Sequence, residues 1–224
     1  MECHMIENIP YTIPEKELLK RIDDRPSISI SARLKKTIKI AVSDIRQHSR
    51  FKAIFGISDV DTENRHIVIS DQTFNSRRLK KVLIPCHKTV VFITTIGEEI
   101  DRLIKKSMKR RSSYGYILDA AASVAVESAT NGLMDHIENH YDGKVETTYR
   151  YSPGYCDWAL REQQKLFHLL PHKRIGVDLS DSYLMTPRKS ISGIAGLCRA
   201  SLLKNGGNAC ADCPRLDCPY RRRN

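Results

Sequence analysis

Residues 114–134 read YGYILDAAASVAVESATNGLM, and the fold turns on them. They form the first two-thirds of a helical signal that starts at Ser112 and fades near Tyr141. Almost every position is small or apolar, so such a helix is buried over most of its surface rather than along one stripe. On its N-terminal side, Ile13–Ile22 carries Pro14 near a helix start and apolar Leu18, Leu19 and Ile22. Ser31–Gln47 places Leu34, Ile38, Val42 and Ile45 at helical spacing, with Lys and Arg opposite. Lys52–Val60, His66–Ile69 and Lys88–Thr95 are rich in Ile, Val, Phe and Thr and predict strands. Gly97 then opens a helix to about Lys109. Beyond residue 141 the pattern predicts a strand over Lys144–Tyr151, a turn at Ser152–Tyr155 and a polar helix over Asp157–Leu170. A strand from Ile175 toward Met185 follows, then a small-residue helix over Ile191–Leu203 stopped by Gly206-Gly207. This order fits one mixed α+β domain over residues 1–205 with a cysteine-rich tail at 206–224.

Composition narrows the function classes. The 224 residues include 37 Lys+Arg against 26 Asp+Glu, a net charge of +11, and 41% are hydrophobic, which excludes a disordered tail or fibrous repeat. No run approaches the ~18 apolar residues of a membrane span, and MECHMIENIP lacks the layout of a signal peptide. The expectation is a soluble, cytoplasmic protein without a membrane partner. The charge first suggests nucleic acid. However, the strongest basic run, Arg102, Lys105, Lys106, Lys109, Arg110 and Arg111, has no interleaved aromatics and no recognition motif. A solvated face, or one that docks an acidic protein, is the better reading, and nucleic acid is disfavoured.

Four features carry chemistry. Between Tyr114 and Met134 only Asp119 and Glu127 are charged. A carboxylate on a buried helix needs a cationic or hydrogen-bonding partner. Glu127 is therefore either half of a structural ion pair or a group awaiting a ligand's amino or hydroxyl groups. Arg150-Tyr151-Ser152-Pro153-Gly154-Tyr155 puts an Arg at a strand end beside a Pro-Gly turn, which suits a carboxylate or phosphate, although a plain turn is the simpler reading. Thr186-Pro187-Arg188-Lys189-Ser190 reads as a strand-to-helix loop whose amides and cations favour an anion, or as a connection with Ser190 as N-cap. Finally, Cys210, Cys213 and Cys218 cluster near the end, and Cys198 makes a fourth thiolate. Four thiolates suffice for zinc or an iron–sulfur cluster, and free thiols or disulfides are the alternative.

RYSPGYCDW (150–158), IGVDLSDSYLM (175–185) and TPRKSISG (186–193), in that order and spacing, resemble the activation domain of cobalamin-dependent methionine synthase, its stand-alone forms most of all. The resemblance implies an α+β fold with a mixed or antiparallel sheet and flanking helices. It also implies binding of S-adenosylmethionine and reductive methylation of cobalamin carried by a separate methionine synthase. Arg150 then holds the ligand's α-carboxylate, Ser152, Gly154 and Tyr155 line its groove, and Glu127 faces its charged or hydroxylated part. An acidic electron-transfer protein is a further implied partner. The rival reading is a metal- or iron–sulfur-binding accessory to another corrinoid enzyme. This chain differs from family members at Cys156-Asp157-Trp158, and at Ile194, Ala195 and Gly196 where those carry aromatics.

Overall fold

The computed structural model describes residues 1–22, 31–63, 66–140 and 145–199. Strand β1 (Glu2–Glu7) is followed by helices α1 (Glu15–Ile22) and α2 (Ala32–His48), then by β2 (Lys52–Asp61), β3 (Ile67–Ile69) and β4 (Gln72–Phe74). Helix α3 (Arg77–Leu83), strand β5 (Lys88–Thr95) and helices α4 (Glu98–Arg110) and α5 (Ser112–His140) come next. The remainder comprises β6 (Val145–Thr147), α6 (Gln163–Leu169), β7 (Asp178–Leu179), β8 (Met185–Thr186) and β9 (Ser190–Arg199).

Strands β2, β5 and β9 form the centre of an antiparallel sheet, and successive side chains of each point to opposite faces. Phe55 lies opposite Phe92, and Phe92 opposite Gly193. One face contributes Phe55, Val90, Phe92, Ala195 and Leu197 to a core shared with α1, α2, α4 and α5. The other contributes Ile54, Val91, Ile93 and Ile194 to a second core with Leu79, Tyr151, Trp158, Leu166 and Phe167. The sheet is thus buried on both faces between helical layers. Helix α5 fills the middle of the first core through residues such as Leu118, Ala121, Ala125, Ala129 and Leu133. Its tight corner with α4 depends on Gly115, where a Cβ would lie 2.6 Å from the Met108 amide nitrogen.

Three sequence expectations change. Ile191–Leu203, read as a helix, is strand β9 as far as Arg199, with residues 190–197 paired to 95–88 of β5. Its small residues serve close approach between elements: a Cβ on Gly196 would lie 2.5 Å from Cys86 Sγ. The polar helix expected from Asp157 begins only with a 3-10 turn at Leu160–Glu162 and continues as α6, because Asp157 is committed to α3. The strand expected from Ile175 to Met185 is a two-stranded ribbon of β7 and β8. Among the described residues no helix is long and apolar enough to cross a membrane.

Candidate ligand-binding site

Four polar side chains, Asp119, Ser123, Glu127 and Asn131, recur every fourth residue of α5 and so share one stripe of an otherwise buried helix. Two cations from the sheet side meet that stripe. Arg150 Nη2 donates to Glu127 Oε2 at 2.9 Å and to Asn131 Oδ1 at 2.7 Å. Lys189 Nζ stands 2.8 Å from Asp119 Oδ1 and donates to Ser123 Oγ at 2.9 Å. In both pairs the cation is the more covered partner: side-chain exposure is 12% for Arg150 against 31% for Glu127, and 13% for Lys189 against 37% for Asp119. Partly exposed carboxylates beside more covered cations suit a ligand that brings hydrogen-bond donors or positive charge of its own.

Arg150 is placed by the short strand contact that follows it. Tyr151 exchanges both backbone hydrogen bonds with Ile194, at 2.8 Å each. Gly193 allows this approach, since a Cβ there would lie 2.7 Å from the Tyr151 carbonyl oxygen and 3.0 Å from Ser152 Oγ. The chain then turns. Gly154 takes φ +91°, a region that favours glycine, and donates its N–H to the Trp158 carbonyl at 2.8 Å. Tyr151 and Trp158 stack beneath the turn at 5.7 Å and are both buried. Burial, aided by nearby Cys156 and Asp157, holds the Tyr151 hydroxyl well above the usual tyrosine pKa. Tyr155, 52% exposed, and Cys156 stand at the tip.

Asp157 fixes the far end of the turn. Its carboxylate accepts from Ser76 Oγ at 2.8 Å and from the Arg77 amide at 2.6 Å, so it caps the N-terminus of α3 from outside. On the stripe's other flank, the Thr12 amide donates to Ser128 Oγ at 3.0 Å, bringing the N-terminal segment alongside α5.

The predicted residues Glu127, Arg150, Ser152, Gly154 and Tyr155 therefore fall on two adjoining elements, with Glu127 and Arg150 in direct contact. Sequence reasoning missed Asn131 and the pairing of Asp119 with Lys189. The signal was present in the fourfold spacing from Asp119 to Asn131. In the Thr186–Ser190 loop, expected to favour an anion, the Arg188 amide is taken by Asp101 Oδ2 at 2.5 Å, and Ser190 Oγ donates to the Pro187 carbonyl instead of capping a helix.

Cys198 is not available as a fourth thiolate. It is joined in a disulfide to Cys86, which sequence reading left unassigned, and both are buried. Cys210, Cys213 and Cys218, with the tail at 206–224, lie outside the described residues. Among the described residues no three His, Cys, Asp or Glu side chains converge to hold a metal. A separate cavity of about 290 Å³ lies between α1 and α2, lined by Leu18, Ile38, Val42 and Arg46 among others, and includes none of the stripe residues.

Residues 85–201 match the family model described as vitamin B12 dependent methionine synthase, activation domain. The solved crystal structure of the MetH reactivation domain bound to AdoHcy matches with a TM-score of 0.61 and 15% sequence identity, over 88% of this chain and 78% of that one. That likeness establishes the α+β fold with its antiparallel sheet and flanking helices. No curated protein matches the chain.

Proposed function

Because the chain belongs to the vitamin B12-dependent methionine synthase activation-domain family, we propose that it binds S-adenosylmethionine and supports reductive methylation of cobalamin on a separate methionine synthase in the cytoplasm. The observation that carries this reading is the contact of Arg150 with Glu127 and Asn131 beside the Gly154 turn. S-Adenosylmethionine brings a carboxylate, an ammonium and a sulfonium. Its amino-acid end exchanges with the existing pair: the carboxylate takes the Arg150 fork, and Glu127 attracts the positive groups released to it. Ser152, Gly154 and Tyr155 line the ligand's path, and the exposed Tyr155 ring supplies an apolar face.

The chain's own task is to bind the ligand, orient its methyl group and exclude water. Cobalamin, carried by the partner, supplies the methyl-accepting chemistry. The exposed cations of α4, from Arg102 to Arg110, with Arg111 just beyond it, and those of α2 suit an acidic protein partner such as an electron donor. The second reading, a metal- or iron–sulfur-binding accessory to another corrinoid enzyme, rests on Cys210, Cys213 and Cys218, which we assign to a tail separate from a domain over residues 1–205. Metal content of the anaerobically purified full chain tests it, and a metal-free sample removes it.

Calorimetric titration with S-adenosylmethionine tests the main reading. The wild-type chain binds, and Arg150→Ala weakens binding about tenfold to a hundredfold, the range for hydrogen bonds to charged groups. Absence of wild-type binding, or unchanged affinity in Arg150→Ala, overturns it.

A further inference from the structure

The Asp119–Lys189 pair has no part in holding the amino-acid end of a ligand, yet it repeats the arrangement of Glu127 with Arg150 on the same stripe. Eight residues separate the two carboxylates, about 12 Å along a helix axis. That separation is comparable to the extent of an amino acid joined to a nucleoside. Lys189 engages Asp119 through Oδ1, and Oδ2 receives no hydrogen bond from any described residue. Lys189 also donates to Ser123 Oγ, whose own hydroxyl donates to the Asp119 carbonyl at 3.0 Å, so the carboxylate is held on a built support. The neighbouring stretch of β9 cannot serve the ligand's far end, because Ile194 and Ala195 are fully buried within the sheet.

We propose that Asp119 is the anchor for the nucleoside end of the ligand: its free oxygen accepts hydrogen bonds from the ribose hydroxyls, while Lys189 and Ser123 position the carboxylate. This rests on the S-adenosylmethionine reading given above. A vicinal diol is a donor pair matched to a carboxylate, and the adjacent, largely covered Lys189 holds that carboxylate in place. A purely structural salt bridge between β9 and α5 makes a different prediction, since its removal changes stability but leaves the ribose contribution to binding intact.

The test is a cycle of protein and ligand changes, read by calorimetry on the full chain after circular dichroism confirms folding. Its arms are wild type, Asp119→Ala and Asp119→Asn, each with S-adenosylmethionine and with the analogue lacking both ribose hydroxyls. Asp119→Ala is expected to weaken S-adenosylmethionine about tenfold to a hundredfold, with Asp119→Asn intermediate. The analogue should bind the wild type more weakly by a similar factor, yet bind Asp119→Ala as S-adenosylmethionine itself does. Wild-type affinity in Asp119→Ala overturns the assignment alone, as does an undiminished loss from removing the hydroxyls in that variant. Failure of the wild-type chain to bind S-adenosylmethionine overturns both the assignment and the function on which it rests.

Discussion

Gly193 stands at the point where strand pairing and the candidate site meet. Its hydrogen in place of a side chain lets Tyr151 join β9, which in turn sets Arg150 against α5. In Gly193→Ala the new methyl group meets the Tyr151 carbonyl at 2.7 Å and the Phe92 ring at 3.0 Å. Because one of these neighbours is backbone, relief requires the strand contact to shift. Overpacking of this kind costs about 1–3 kcal/mol, and the expected outcome is a lower urea midpoint at unchanged slope. An unaltered midpoint would show that the contact can relax freely. Arg150 and Glu127 were legible as candidates from residue type alone, because a charge on an apolar helix and an Arg beside a Pro-Gly turn both need a partner. That they partner each other, with Asn131, was not legible, since residues 127 and 150 meet only through the sheet. Lys189 was obscured similarly: its partner depends on where β9 begins.

At the scale of the element, Asp157 joins the site's turn to α3. The helix is only seven residues long and has its own cap in Ser76, which accepts from the Leu79 amide at 3.0 Å. Asp157 adds a carboxylate at the same end, where the unpaired amides and the helix dipole favour negative charge. Removing it in Asp157→Ala should cost about 1 kcal/mol, seen as a lower thermal midpoint with faster amide exchange at Arg77 and Arg78. Protection unchanged at those two amides would argue that Ser76 suffices. The same residue explains why the helix expected from Asp157 starts late. Conversely, β9 was misread because alternating Ser, Gly and Ala lowers apparent strand character, whereas its pairing with β5 supplies what local propensity lacks. The strands of β2 and β5, with continuous Ile, Val and Phe, were legible because their composition and their burial agree.

Across the whole molecule, two cores on opposite faces of one sheet place aromatic hydroxyls in both. Tyr114 donates to Asp44 Oδ2 at 2.5 Å on the helical side, and Tyr151 is buried on the other. Burial first, then the adjacent carboxylate, holds Tyr114 well above the usual tyrosine pKa, and burial does the same at Tyr151. The folded state thus favours the neutral phenols. Their contribution is fully present below the unfolded value, about 10, and is lost as pH rises from there through the raised folded values. Denaturant unfolding across the alkaline range should show stability falling above about pH 10, with a shallower fall in Tyr114→Phe; equal slopes would exclude Tyr114 as a cause. The sequence alone determined that a helix buried on nearly every side lies at the centre of an α+β domain, and that its two carboxylates need partners. Hydrophobic pattern and charge are local properties, and 21 residues suffice to state them. Only the tertiary structure decided which cations those carboxylates receive, that Cys198 joins Cys86 and that the last described segment is a strand. Each of these is a pairing between residues distant in the chain, settled by how the sheet orders its strands.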